Sequence, residues 1–207
     1  MEVELDPLSP KERYKLLCGL VVPRPIALIT TVSVAGEVNA APFSFFNVVS
    51  HDPPLVVLGL DRRESGEPKD TLINIQKTKE FVVNLVGEQI AAQMNICGSD
   101  YPAGINELEE AGLEASPSSN VAPPRITVSL ACLECKLKDE LIYGERGQRS
   151  IIVGEIVSIH AQDGLINERF HVSQDILKPI GRMAGSEYTS TKDRFSIAAN
   201  HNRSWQL

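Results

Sequence analysis

The segment 39–47, Asn-Ala-Ala-Pro-Phe-Ser-Phe-Phe-Asn, combines hydrogen-bonding side chains with aromatic rings. Ser44 and Asn47 stand among three phenylalanines, which suits a flat ligand with polar edges. The same two side chains commonly satisfy loop backbone instead, so both interpretations stay open. We expect the chain to leave a strand, break at Pro42 and form a loop that is the floor of a cofactor site.

A second candidate site is the triplet Lys69, Asp70 and Thr71 at the start of a predicted helix over 69–77. Backbone N–H groups point outward at a helix start, and the helix dipole favours negative charge there. Lys69 adds a positive charge and Thr71 a hydroxyl donor. The alternative is that Asp70 or Thr71 caps the helix while Lys69 is only solvated.

Arg24 lies between two prolines just before a predicted buried strand. Because proline fixes φ and excludes helix, this segment is stiff and extended. A stiff arginine suits contact with a ligand or with a partner subunit. An ordinary surface arginine is the other interpretation.

Other familiar chemistries lack their motifs. Cys132 and Cys135 have CxxC spacing, but strand positions three apart point to opposite faces, so we expect a structural role. The four histidines show no metal-binding spacing, and we expect no metal site. No GxSxG surrounds Ser44, and neither GxGxxG nor GxxxxGK[ST] occurs. The sequence therefore predicts no catalytic side chain of the hydrolase or metal type.

The bulk composition bounds the class of protein. The chain has 207 residues, of which 43% are hydrophobic and 23% charged, as expected for a globular domain with a real core. A formal net charge of −7 argues against nucleic acid or an anionic membrane as partner. We expect no transmembrane helix, no signal peptide and no disulfide scaffold, hence a cytoplasmic protein.

The elements that must position these residues follow from local signals. Ser9 and Glu12 form a predicted capping box around Pro10, and Gly19 is the expected end of that helix. Further predicted elements, in chain order, are strands over 26–32, 37–41, 56–60 and 80–86, a helical segment over 89–95, a short helix near 106–111, and long strands over 126–138 and 149–161, with a polar turn at 144–147 between the last two.

We expect a single domain over 1–207, with a core over about 10–195, an excursion at 98–124 and a polar tail at 196–207. Strands outnumber crossover helices. An antiparallel barrel with helical additions is therefore favoured over a doubly wound sheet.

Five segments in register resemble the flavin reductase-like, FMN-binding split-barrel family, and the resemblance covers about residues 10–195. It is closest to proteins described as flavoredoxin-like or as reductase components of two-component monooxygenases. The five segments are 23–31, 39–47, 52–55, 69–71 with Asn74, and 81–84.

The resemblance implies a mainly β Greek-key split barrel with helical insertions, forming a homodimer with FMN near the subunit interface. It implies that Ser44 faces the ribityl-phosphate side, that Asn47 makes a polar contact, and that Lys69 and Thr71 take the phosphate. The full set of cofactor-binding residues that it suggests is Arg24, Thr30, Thr31, Ala41, Ser44, Phe45, Phe46, Asn47, Lys69, Asp70, Thr71 and Arg182. Thr30 and Thr31 would reach the polar edge of the ring largely through backbone.

By the same resemblance, a hydride would pass from NADH or NADPH to the flavin, and electrons would leave to free flavin, a metal or a partner such as a monooxygenase. The protein would supply orientation and electrostatics while the cofactor carries the chemistry. The alternative is an FMN-binding electron carrier without reductase activity of its own. A ligand-binding barrel with no redox role is a third reading.

Overall fold

The computed structural model describes residues 1–63, 65–102, 104–144 and 149–198, and strands predominate over helices in them. The helices are α1 (Pro10–Leu20), α2 (Asp70–Thr78), α3 (Ala91–Cys97), α4 (Glu107–Glu110) and α5 (Gln174–Leu177), with a 3₁₀ turn at Glu88–Ile90. The strands are β1 (Arg24–Pro25), β2 (Ala27–Val32), β3 (Val38–Phe43), β4 (Phe46–His51), β5 (Pro54–Asp61), β6 (Glu80–Leu85), β7 (Ala115–Ser116), β8 (Arg125–Ile126), β9 (Ala131–Tyr143), β10 (Arg149–Ala161), β11 (Ile180–Arg182) and β12 (Tyr188–Ser190).

Seven strands form one antiparallel sheet in the order β3-β2-β6-β9-β10-β5-β4. Its two edge strands, β3 and β4, are consecutive in the chain and are joined by the bend at Ser44 and Phe45. A two-residue connection between opposite edges requires the sheet to curl into a barrel. Because β3 and β4 do not pair with each other, the barrel wall is split at this bend.

The predicted hairpin over 26–41 is confirmed as β2 and β3, but its second strand is longer than expected. Pro42 does not break β3; it pairs with Leu28, and β3 ends at Phe43. An edge strand tolerates a proline, because the missing N–H removes no hydrogen bond to a second neighbour. The expected loop over 44–47 is also shorter, since β4 begins at Phe46.

The two long strands that the sequence predicts are confirmed as β9 and β10, which pair with each other, but β9 spans Ala131–Tyr143 instead of 126–138. Residues 145–148 of the predicted turn lie outside the described part of the chain. Cys132 and Cys135 on β9 are buried in two different apolar clusters, which confirms their structural role. Burial raises the pKa of the Cys135 thiol to about 12, so it stays protonated.

Helix α1 begins with the predicted capping box. The Ser9 backbone N–H donates to Glu12 Oε2 at 2.8 Å, and the Glu12 N–H donates to Ser9 Oγ at 3.3 Å. The helix continues through Gly19 and ends at Leu20. Its apolar side chains mostly face outward, because Leu17 is 49% and Leu20 77% exposed while Cys18 is buried.

The excursion at 98–124 packs onto the barrel through α4. Leu108 and Leu113 are buried with Ile90 and Met94 in a second apolar cluster beside the main core. The short helix predicted near 106–111 is confirmed as α4. Within the described residues, no helix has the length and apolar character needed to span a membrane.

Candidate functional site

Three adjoining depressions lie along the bend between β3 and β4, and each includes Pro42 in its wall. The α2-side cavity, of about 340 Å³, is bordered by Asn39, Ala41, Arg62, Arg63, Lys69, Asp70, Thr71, Cys97, Asp100, Tyr101 and Glu107. The α1-side cavity, of about 330 Å³, is bordered by Tyr14, Ile26, Phe43, Ser44, Met94, Asn95, Arg182 and Tyr188. A smaller depression between them is bordered by Tyr14, Phe43, Ser44, Phe45, Gly59, Asp61 and Lys69.

Lys69 links the α2-side cavity to the smaller depression. It is the N-cap residue of α2, and its ammonium lies 5.5 Å from the centre of the Phe43 ring. No carboxylate in the described ranges pairs with Lys69. The first N–H groups of an α-helix have no acceptor within the helix. Lys69 and the start of α2 therefore offer positive charge and donors to an anion.

Neither Asp70 nor Thr71 caps α2, so that expectation is wrong. Asp70 instead forms an ion pair with Arg63 at 2.8 Å. Thr71 is 1% exposed, and its hydroxyl donates to Asn39 Oδ1 at 2.9 Å. Each side chain thus has its partner in the surrounding wall and not at the N–H groups of the helix end. The Thr71 hydroxyl hydrogen is thereby committed within the protein.

A buried carboxylate closes the base of the α2-side cavity. Glu107 on α4 accepts hydrogen bonds from Asn39 Nδ2 at 2.6 Å and from the Ala40 N–H at 2.8 Å. Burial raises the pKa of Glu107, and these two hydrogen bonds partly oppose the rise. Sequence reasoning missed Glu107, whose only local signal is the neighbouring helix cap Asn106.

The excursion supplies a side wall of the same cavity. Arg63 donates to Asp100 at 2.9 Å and to the Tyr101 carbonyl at 3.4 Å, in addition to its ion pair with Asp70. These contacts hold residues 98–101 against the start of α2. Cys97 lies in the same wall, and burial raises the pKa of its thiol to about 12.

Thr30 and Thr31 lie behind the bend and do not reach the cavities. Both are fully buried in β2, the strand next to the edge strand β3. The Thr30 hydroxyl donates to the Pro124 carbonyl at 2.5 Å, and Thr31 accepts from Asn74 Nδ2 at 3.0 Å. Because β2 is paired on both sides at Thr30, its backbone is also occupied by the sheet.

The residues of the bend divide between the cavities and the core. Ala41, Ser44 and Phe45 border the depressions. Phe46 is 8% exposed and packs in the main core, so its ring faces away from them. The exposed Asn47 accepts from the neighbouring Val48 N–H at 2.9 Å, which is the backbone-satisfying interpretation of this residue.

Arg182 and Tyr188 form one side of the α1-side cavity. The Arg182 guanidinium carbon lies 4.5 Å from the centre of the Tyr188 ring. Across the cavity, desolvation raises the pKa of the Tyr14 hydroxyl, and the charges of Arg24 and Arg182 partly offset that rise. No acidic side chain is among the described residues that border this cavity.

Arg24 does not border any of the three depressions. It is 6% exposed, and its guanidinium donates to the carbonyls of Cys18 at 2.7 Å and of Val21 at 3.0 Å. It also donates to the Ser44 hydroxyl oxygen at 3.4 Å. The structure thus brings Arg24 next to the bend but behind it. Among the described residues, no group of three or more His, Cys, Asp or Glu side chains could hold a metal ion.

The chain is similar to several known proteins over almost its whole length. A family model described as flavin reductase like domain matches residues 19–176. The 2-nitrobenzoate 2-nitroreductase NbaA of Pseudomonas fluorescens is 39% identical, with a TM-score of 0.89 and 98% of each chain covered. Nitrilotriacetate monooxygenase component B of Bacillus cereus is 30% identical, with a TM-score of 0.91 over 95% of this chain and 98% of that one.

A structure from Shewanella frigidimarina, described as a flavin reductase with a split barrel domain, is 19% identical with a TM-score of 0.82 over 93% of this chain and 94% of that chain. At that identity the likeness concerns the fold alone. It confirms the mainly β split barrel with helical insertions that the sequence predicts.

Proposed function

Because the chain belongs to the flavin reductase-like family, we propose that it is an oxidoreductase that binds FMN and accepts a hydride from NADH or NADPH. The observation that carries this proposal is the position of Lys69. This cation has no carboxylate partner in the described ranges, stands at a helix start, and borders the same depression as Ser44 and Phe45.

The residues present fit the anionic end of a flavin mononucleotide. Lys69 and the first N–H groups of α2 would hold the phosphate. The α2-side cavity also contains the carboxylates of Asp70 and Asp100. Both carboxylates form ion pairs with Arg63, and Arg62 and Lys69 border the same cavity. The proposal of FMN therefore rests on the match between one phosphate and the start of α2 beside Lys69.

The bend fits the less charged part of the same molecule. Phe43 and Phe45 provide apolar surface, and Ser44 provides a hydroxyl between them. Strand β5 fixes the backbone of Phe45, because the Gly59 N–H donates to the Phe45 carbonyl at 2.7 Å. An added Cβ on Gly59 would lie 3.0 Å from Phe45 Cβ, so a side chain there would require Phe45 to shift by a few tenths of an ångström.

FMN, when bound, supplies hydride acceptance and the transfer of one or two electrons. The protein's own part is to bind, orient and exclude water. Glu107 is fixed by two hydrogen bonds, and the thiol of Cys97 is protonated at neutral pH. Neither of these two groups is therefore assigned a proton-transfer role. The proposal names no catalytic side chain.

We propose that electrons leave to a separate acceptor. Component B of a monooxygenase, at 30% identity, supports a monooxygenase or another protein as partner. The nitroreductase, at 39% identity, supports an aromatic nitro compound as a second class of acceptor. The aromatic rings of Tyr14 and Tyr188 with the cation of Arg182 suit an aromatic carboxylate in the α1-side cavity. Turnover of nitrobenzoates with NADH present separates the two classes.

A homodimer with cytoplasmic location is part of the proposal. Strand β4 is a sheet edge whose Val48 and Val49 are more than half exposed, and Leu20 on α1 is also exposed. A second copy would cover such apolar surface. All four cysteines are free and buried, in keeping with a reducing compartment. Light scattering on the purified protein tests the dimer.

The proposed function is tested by reconstituting the protein with FMN and adding NADH and NADPH separately under anaerobic conditions. We expect a bound-flavin spectrum that at least one nucleotide bleaches. Bound FMN that neither nucleotide bleaches would favour the electron carrier instead. Failure to bind FMN or FAD would refute both.

A further inference from the structure

Arg24 has a buried guanidinium group that donates four hydrogen bonds. It donates through Nη1 to the carbonyls of Cys18 and Val21, through Nη2 to the carbonyl of Met183 at 3.2 Å, and through Nε to Ser44 Oγ. These bonds use four of the five donors of an arginine. No carboxylate in the described ranges neutralises it. Burying a cation with only neutral oxygens as partners has a desolvation cost, and an ordinary surface arginine would not bear it.

The partners of Arg24 come from three separate walls of the α1-side cavity. Cys18 lies on α1, which also carries Tyr14. Ser44 belongs to the bend after β3. Met183 follows β11, which ends at the cavity residue Arg182, and Arg182 pairs with Arg24 in the ladder of β1 and β11. One side chain therefore connects all three walls behind the surface that a ligand would touch.

The direction of the contact with Ser44 is informative. The Nε–H of arginine can only donate, so Ser44 Oγ is the acceptor in this bond. The Ser44 hydroxyl hydrogen is then left for another acceptor, and none occurs among the described residues. Ser44 borders the α1-side cavity and the smaller depression. Its hydroxyl is therefore available to donate to a ligand in one of these two depressions.

We propose that Arg24 is a positioning residue that acts through Ser44: it holds the Ser44 hydroxyl as a hydrogen-bond donor toward an acceptor oxygen of the bound flavin. This inference rests on the proposed function. It changes the expected role of Arg24 from a direct ligand contact to an indirect one. It also predicts that the flavin atom beside the Ser44 hydroxyl is a hydrogen-bond acceptor.

A double-mutant cycle tests the proposal. FMN dissociation constants are measured for the wild type, Arg24→Lys, Ser44→Ala and the double variant, with thermal unfolding as a check of folding. A lysine keeps the charge but cannot reproduce the four-way contact of the guanidinium. We expect each single variant to weaken FMN binding about threefold to tenfold, the range of one neutral hydrogen bond. In the Ser44→Ala background, Arg24→Lys should then change the constant less than about twofold.

The matched control is Arg13→Lys. Arg13 on α1 donates to the backbone carbonyls of Leu5 and Asp6, as Arg24 does to those of Cys18, Val21 and Met183, but it borders none of the depressions. This variant should leave FMN binding unchanged.

The proposal is overturned if Arg24→Lys weakens FMN binding as much in the Ser44→Ala background as in the wild type. Arg24 would then affect binding without acting through Ser44. If Arg24→Lys does not fold, Ser44→Thr replaces it as the test. Retained affinity in Ser44→Thr together with loss in Ser44→Ala supports a donated hydroxyl, and equal loss in both overturns it. Unchanged affinity in Ser44→Ala also overturns it. Lys69→Met reports separately on the flavin site, so the two failures are distinguishable.

Discussion

Lys69 is the charge on which the proposed phosphate site depends, so replacing it is the sharpest perturbation. Lys69→Met removes the ammonium and keeps most of the aliphatic chain. In the free protein this loses the contact of the ammonium with the Phe43 ring, 5.5 Å away. Such a contact at a partly exposed site contributes about 0.5–1 kcal/mol, so the stability of the free protein should fall by no more than that.

The effect on flavin binding should be larger. A hydrogen bond between a charged donor and an anion contributes about 1.5–3 kcal/mol, which corresponds to a roughly 10- to 150-fold weaker FMN affinity. Riboflavin lacks the phosphate, so its affinity should be nearly unchanged in Lys69→Met. Added salt should weaken FMN binding to the wild type more than to the variant.

The assay is equilibrium titration of flavin fluorescence, with FMN and riboflavin, at two salt concentrations. Lys77→Met is the matched control, because Lys77 is exposed in the last turn of the same helix. Equal losses of FMN and riboflavin affinity in Lys69→Met would refute the phosphate assignment. Unchanged FMN affinity would return Lys69 to the role of a solvated surface lysine.

Three further predictions concern buried contacts, two in the wall of the α2-side cavity and one in the main core. Burial raises the pKa of Glu107 above its ordinary value of 4.5, so the folded protein holds this proton more tightly than the unfolded chain does. The resulting contribution to the free energy of unfolding is complete below pH 4.5 and is lost as pH rises through the raised pKa. Urea denaturation from pH 4.5 upward should therefore show a shallower decline for Glu107→Gln than for the wild type, and parallel curves would contradict this. Thr71→Val removes the donor to Asn39 and should cost about 1–2 kcal/mol in unfolding free energy, whereas an unchanged urea midpoint would show that the bond contributes nothing. Gly154→Ala would place a methyl group 2.3 Å from the Phe81 ring, so a loss of about 1–3 kcal/mol is expected in thermal unfolding; the double variant with Phe81→Leu should recover part of it.

Local signals predicted much of the fold. The capping box of α1 and the hairpin of β2 and β3 each depend on residues close in sequence, so the local sequence is enough to predict them. Pro42 misled the same reasoning. Whether a proline breaks a strand depends on whether that strand lies at a sheet edge, and the edge is decided by pairings elsewhere in the chain.

The site was less predictable because its walls come from distant segments. The contact between Glu107 and the Ala40 N–H joins residues 67 apart in sequence. Thr71 and Arg24 have side chains that suit a ligand, yet the structure commits them to protein oxygens. A residue type alone does not show whether its donors face a cavity or lie behind it. Lys69 differs from them because it stands at the start of α2 and has no carboxylate partner among the described residues.

The most direct test of the central claim is the amount of FMN that the chain holds. The purified protein is incubated with excess FMN, separated from free flavin, and denatured so that the released flavin can be identified and quantified. One FMN per chain, displaced poorly by riboflavin, is the result that a phosphate site at Lys69 predicts. Absence of retained flavin, with no change in FMN fluorescence on titration, would contradict the proposed function.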